Sequence, residues 1–326
     1  MIISAKSIET GRNFINSQLD EFMCRLNIST ITSNPTYDGG LYHYTAVKNI
    51  NSILIDNHEK TVLWASRYDC LNDASEGQII TNVYNKTCKK LKNENKISEE
   101  LFEVIYTVKP NRTSLFIDVE NNRFVRCEVD TYITSFSKEY DLLAMWNYYS
   151  KGNIYDGINL GFDSEAVKRS LINNTPLSGV DIQICPVIYD EEQQMKLIEG
   201  LIISLKDKYM GNKDDPYLRY VIAYKLTEWK MLFKSKHFEH EKEVRIITRV
   251  GKKFTDEICV KYRESFGYII PYIELEIDKD SLIQTTFAPM PGDENRKISQ
   301  YSVMKEILKS TGYNADIKFS EIPVRY

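Results

Sequence analysis

Phe124-Val125-Arg126-Cys127-Glu128-Val129, followed by Tyr132-Ile133-Thr134-Ser135-Phe136-Ser137, decides the fold class. Both runs are rich in β-branched and aromatic residues and both alternate, so they are predicted as adjacent strands. Working outward, strand character recurs at Leu41 to Thr45, Thr61 to Ser66, Gly157 to Phe162 and Ile182 to Tyr189. It returns at Glu243 to Val250, Tyr268 to Ile277, Ser281 to Phe287 and Ile317 to Tyr326. Helical spacing of apolar residues marks residues 7–26, Ala46 to Asn57 with Thr45 as its N-cap, and an insertion over 76–108 broken by the charged stretch Lys89 to Lys96. Further helices are predicted at 142–149, opened by Asp141, across 191–236 with a break near Gly211 to Pro216, and at 293–311. Strands spread along the whole chain without regular strand–helix alternation predict an α+β fold. Its expected form is a mixed or antiparallel sheet with inserted and flanking helices, in one domain spanning 1–326.

The composition narrows the function classes. The 22 tyrosines and 13 phenylalanines of a 326-residue chain argue for packed order rather than disorder. A formal charge of -4 gives no footprint for nonspecific nucleic-acid binding, so nucleic acid enters only as a specific substrate. No run reaches the length of a membrane span and the first residues lack a signal-peptide core, which predicts a cytoplasmic protein without a membrane partner. Six scattered cysteines form no Cys-x-x-Cys pair, and the four histidines show no His-Glu-x-x-His spacing, so no zinc site or disulfide framework is expected. Gly152 to Gly157 has P-loop glycine spacing, but Ile158-Asn159 stands where Lys-Ser/Thr is needed to reach phosphate and magnesium. The dinucleotide-binding Gly-x-Gly-x-x-Gly and the hydrolase elbow Gly-x-Ser-x-Gly are also missing.

The candidate chemistry lies in polar residues set within strand-like or aromatic runs. Glu241, Glu243 and Arg245 alternate with apolar positions, so on a strand they share one face. That face is either solvated, or a cleft in which Arg245 keeps a carboxylate ionised and oriented. Ser135 and Ser137 flank Phe136 on one side of their strand, to satisfy backbone groups or to orient such a carboxylate. His43, between Tyr42 and Tyr44, is either a hydrogen-bonded structural histidine or a ligand contact. Trp146 and Tyr149 share a helical face, as core or as a stacking platform. Asn72, Asp73 and Glu76 read first as a helix cap.

Taken together, these segments resemble a bacterial family known as domain of unknown function 2971. The likeness is carried by Leu41 to Thr45, Trp64-Ala65-Ser66, Asn72-Asp73-x-x-Glu76, Ser135-Phe136-Ser137, Met145-Trp146-x-x-Tyr149, Gly157 to Phe162, Glu241-x-Glu243-x-Arg245 and Ser320-Glu321-Ile322-Pro323-x-Arg325. A more distant resemblance is to the ADP-ribosyltransferases, through His43, Ser135-Phe136-Ser137 and Glu241-Lys242-Glu243, although Phe136 stands where that family has Thr. The second resemblance implies split sheets, NAD as substrate, Glu243 as the catalytic carboxylate with Glu241 second, and an acceptor that is protein, nucleic acid or metabolite. It also implies NAD contacts from His43, Tyr44, Thr45, Ser66, Ser135, Ser137, Trp146, Tyr149 and Arg245, in an effector such as a toxin or phage-defence protein. The alternatives are a noncatalytic ligand-sensing or defence interaction module, and a metal-dependent nuclease or nucleotide hydrolase.

Overall fold

The computed structural model describes residues 34–56, 59–71, 77–118, 123–149, 156–175, 178–206, 216–265, 267–290, 292 and 294–324. The helix predicted over 7–26 and the group Asn72, Asp73 and Glu76 lie outside the described residues. Among the described residues there are eleven strands: β1 Gly40–Ala46, β2 Thr61–Arg67, β3 Thr113–Asp118, β4 Arg123–Ser137, β5 Gly157–Asp163, β6 Val180–Pro186, β7 Glu243–Gly251, β8 Lys261–Ser265, β9 Tyr268–Ile277, β10 Leu282–Phe287 and β11 Asp316–Phe319. The helices are α1 Ile79–Asn93, α2 Glu99–Tyr106, α3 Leu143–Tyr149, α4 Ser164–Asn174, α5 Glu191–Lys206, α6 Pro216–Lys230 and α7 Glu294–Thr311. The fold is α+β, with a mixed and largely antiparallel sheet; among the described strands, β10 and β11 are the pair that runs parallel.

Several expectations change at the level of elements. The two runs that open the sequence argument form one 15-residue strand, because Val129, Asp130 and Thr131 keep pairing with Gly251, Val250 and Arg249 of β7. Thr45 does not cap a long helix. It stays in β1, its hydroxyl accepts from the Asn49 amide at 2.8 Å, and only short turns at Val47–Asn49 and Asn51–Ile55 follow. Helix α1 runs on through much of Lys89 to Lys96, since its apolar stripe continues to the fully buried Leu91. Strands β3 and β8 are additional to those read from the sequence.

Strand β4 is where the sheet forks. One of its edges pairs with β7 along Val129 to Ser137, and β6 lies beyond β7. The opposite edge takes two strands in succession: β2 meets it at Tyr132 and Ile133, and β1 meets it at Ser137. From β1 the sheet continues through β5, β10 and β11, and from β2 through β9 and β8. At the fork, side chains replace the backbone ladder. The His43 ring donates from Nδ1 to the Ser135 carbonyl at 3.1 Å, and the Thr134 hydroxyl donates to the Trp64 carbonyl at 3.1 Å. Both contacts satisfy polar groups that would otherwise be left without a strand partner.

The two sheet faces carry separate cores. On one face Leu41, Leu63, Phe136, Leu160, Phe162, Val244 and Ile246 pack under α4 and α7, through Val167, Leu171, Met304 and Leu308. On the other, Ile133, Cys185 and Ile247 lie beneath α1, α2, α5 and α6. A smaller group on that second face, Tyr44, Trp146 and Ala288, is closed by Leu142, Met145 and Ile322. Gly157 fits there for a packing reason: a Cβ on it would meet the Trp146 ring at 3.3 Å. Among the described residues no helix is long and apolar enough to cross a membrane.

Candidate functional site

The register of β4 on β7 pairs Ser135 with Arg245 and Ser137 with Glu243, so these four side chains share the second face. Glu243 is only 5 % exposed, and Arg245 is equally enclosed. The reading of a solvated charged strand therefore fails: helix α6 and the turns after it roof this part of β7. Arg245 grips Glu243 bidentately, Nε to Oε1 at 2.8 Å and Nη2 to Oε2 at 3.0 Å, while its Nη1 donates to the Met231 carbonyl at 2.8 Å. Lys234 bridges the two acids, with Nζ 2.6 Å from Glu241 Oε2 and 3.1 Å from Glu243 Oε2. Ser135 donates its hydroxyl to Glu243 Oε1 at 2.6 Å. Two carboxylates and two cations form a set that is neutral as a whole, which is what burial of charge requires.

Glu241 reaches this set by a route the alternation did not predict. It ends a 3-10 turn, Lys236–Glu241, and Lys242 then takes a left-handed conformation (φ 47°) before β7 begins. Glu241 is thus not a strand residue, and the reversal at Lys242 is what returns its carboxylate to Lys234. Ser137 ties down this turn, donating to the Glu241 carbonyl at 2.9 Å, and the Glu243 N–H donates to the Tyr189 hydroxyl at 2.9 Å.

The two acids titrate in opposite directions. Burial opposes ionisation of Glu243, but Arg245 and Lys234, with the Ser135 hydrogen bond, outweigh it and hold its carboxyl down at about 2. Burial raises Glu241 above the ordinary carboxylate value, with the Lys234 hydrogen bond only partly opposing it. Tyr149 is pushed up to about 12, first by burial and then by the Glu243 charge. The site therefore holds one firmly ionised acid beside one closer to taking a proton.

Other predicted residues fall around this centre. Tyr44 stacks on Tyr149 at 6.4 Å and meets Trp146 edge-on at 4.6 Å, and its hydroxyl is committed to the Glu139 carbonyl and the Leu142 N–H. Trp146 is 0 % exposed, and its indole N–H donates to Asp141 at 2.7 Å, so it belongs to the core and offers no stacking face to a ligand. His43 packs edge-on against Phe136 on the opposite sheet face, which separates it from Glu243 and gives it the structural role; burial lowers its pKa. Thr45 is buried and occupied by Asn49. Ser66 shares the Ser135 face but accepts from Arg263 Nη2 at 3.0 Å. The site thus brings together Ser135, Ser137, Tyr149, Glu241, Glu243 and Arg245, and leaves out His43, Thr45 and Trp146. Ser135, at the fork, and Tyr149 are its exposed members.

Lys234 was missed by sequence reasoning, which carried a helix on to residue 236; the helix ends at Lys230, and Lys234 lies in the chain that follows it. One signal was present: two glutamates and one arginine leave a buried set one positive charge short. A second such set exists on β7, where Arg249 pairs with Asp181 and Glu228, and Glu228 with Lys225. Among the described residues no group of three or more His, Cys, Asp or Glu is placed to hold a metal ion.

Comparison with known proteins adds one finding. Residues 145–246 match the family model described as protein of unknown function, DUF2971. The DUF2971 segment runs from Met145 in α3 to Ile246 in β7 and contains Tyr149, Lys234, Glu241, Glu243 and Arg245. Ser135, His43 and Ser66 lie outside it. No curated protein and no solved structure matches the chain.

Proposed function

We propose that the protein is an NAD-dependent ADP-ribosyltransferase acting on a protein, nucleic-acid or small-metabolite acceptor. The observation that supports this most is the 2.6 Å hydrogen bond from Ser135, on the middle strand, to Glu243 on the neighbouring strand. In this reading Glu243, held ionised, accepts a hydrogen bond from the nicotinamide-ribose hydroxyl as positive charge develops at the anomeric carbon. The bond from that carbon to the nicotinamide nitrogen breaks, nicotinamide leaves, and an acceptor nucleophile forms the new bond to the same carbon. Glu241, whose pKa is displaced upward, takes the acceptor's proton; a pair of acids pushed apart is the pattern expected of divided roles. Arg245 and Lys234 act by positioning Glu243.

Ser135→Ala tests the reading by removing one hydroxyl donor while Glu243 keeps both its cations. With NAD, nicotinamide release by this variant is expected to fall about tenfold or more while the melting temperature stays close to wild type. Full release by Ser135→Ala, or none by wild type, overturns it. A second reading, a ligand-binding module without turnover, is favoured by one observation: both Glu243 oxygens are already engaged by Arg245 and Lys234. Such a module shows thermal stabilisation by NAD with no nicotinamide in the supernatant.

A further inference from the structure

Trp64 is the exposed member of the three tryptophans in the chain: it is 39 % exposed, against 0 % for Trp146 and 1 % for Trp229. Its surroundings are built rather than incidental. Its ring lies against Tyr272, with centroids 4.5 Å apart and planes at 33°, and the Arg263 guanidinium sits 5.9 Å from its centroid. Arg263 is itself fixed by its bond to Ser66, yet its Nε is buried without a hydrogen-bond partner.

The strand order says from which side the ring is held. Tyr272 is on β9 and Arg263 on β8, both to one side of β2, whereas β4 lies on the other. Alternation from the Ser66–Ile133 pair puts Trp64 and Ser135 on the same face of the sheet, and the Thr134–Trp64 hydrogen bond joins their strands at the fork. Tyr272 and Arg263 therefore hold the ring from the β9 side of β2, and 39 % of Trp64 stays exposed. An exposed aromatic ring with a half-exposed arginine guanidinium beside it suits a flat heteroaromatic ring carrying a phosphate. The site holds one such arginine, and Lys261 beside it is paired with Glu274 at 2.7 Å, which fits a single nucleotide unit better than a polyanionic strand.

We propose that Trp64, Tyr272 and Arg263 form a nucleotide-binding subsite, with the base stacked on Trp64 and its phosphate on Arg263, next to the hydroxyl of Ser135. The subsite deepens the transfer reading, supplying the place for the nucleotide half of the donor or for a nucleotide acceptor, but it stands on its own geometry.

Because the other two tryptophans are enclosed, quenching of protein fluorescence by added nucleotide reports on Trp64. AMP added to the full chain is expected to quench emission saturably, and adenosine to bind more weakly because it brings no phosphate. Arg263→Gln is expected to weaken AMP binding about tenfold, and Trp64→Leu, followed by thermal shift, to weaken it by about tenfold or more. Competition identifies the source: NAD displacing AMP assigns the subsite to the donor, and AMP quenching that persists in excess NAD assigns it to an acceptor nucleotide. No saturable quenching by AMP, GMP, CMP or UMP, or equal affinity for AMP in wild type and Arg263→Gln, overturns the proposal. Quenching without nicotinamide release removes the transferase and keeps the subsite; release without quenching does the reverse.

Discussion

A Glu243→Gln protein is expected to unfold about 3 to 5 kcal/mol more easily than wild type near neutral pH, the usual cost of breaking a buried ion pair from one side. The cause is not the lost carboxylate alone. Arg245 and Lys234 remain beneath α6 with two cations facing Glu241 as their single carboxylate, and Ser135 loses its charged acceptor. Urea denaturation of the two proteins measures the difference. Its pH dependence carries a sign. The Glu243 carboxyl is held at about 2 in the folded protein, below its ordinary value of 4.5, so its contribution is fully present above about pH 4.5 and is lost as the pH falls towards 2. That contribution is about 3 kcal/mol. The gap between wild type and Glu243→Gln should therefore close as acid is added. A gap that is small at pH 7, or constant down to pH 3, would sink the account of Glu243 as the ionised keystone of this set.

Trp146→Ala should cost about as much, roughly 3 to 5 kcal/mol, through a different mechanism. The side chain is fully enclosed between Tyr44, Gly157 and Ala288, and little can move to fill the space it leaves. It also holds Asp141, which collects the C-terminal segment through the Ser320 hydroxyl at 2.6 Å and the Glu321 N–H at 2.9 Å. Trp146→Phe keeps most of the volume and removes the indole donor, so it should fall between wild type and Trp146→Ala by about 1 to 3 kcal/mol. If both variants are as stable as wild type by denaturant titration, the assignment of Trp146 to the core is wrong and a ligand-facing role returns.

What the sequence made legible follows from which forces act locally. Strand alternation is local, and it correctly placed Glu243 and Arg245, and Ser135 and Ser137, on common faces. Burial of the charges was not legible, because it comes from α6 and the turns after it crossing over β7. Alternation failed at Glu241 because one backbone rotation, at Lys242, replaces extended chain with a left-handed residue. Asp130 read as a break between strands, yet the pairing of Val250 with it carries β4 straight through. Lys261-Tyr262-Arg263-Glu264-Ser265 is short, charged and at the sheet edge, so no strand was read there, yet its hydrogen bonds to β9 make it one. The Trp64 subsite was out of reach for the same reason, since two of its three members belong to β8 and β9.

The neutrality of the Glu241, Glu243, Lys234 and Arg245 set limits how this protein can change over generations. No member can be exchanged singly for an uncharged residue without stranding an opposite charge, so each single substitution here costs stability. Two at once, one acid and one base replaced by apolar residues of similar volume, restore the balance and can match the original stability. Lineages that abandon this chemistry are therefore expected to lose these residues in pairs.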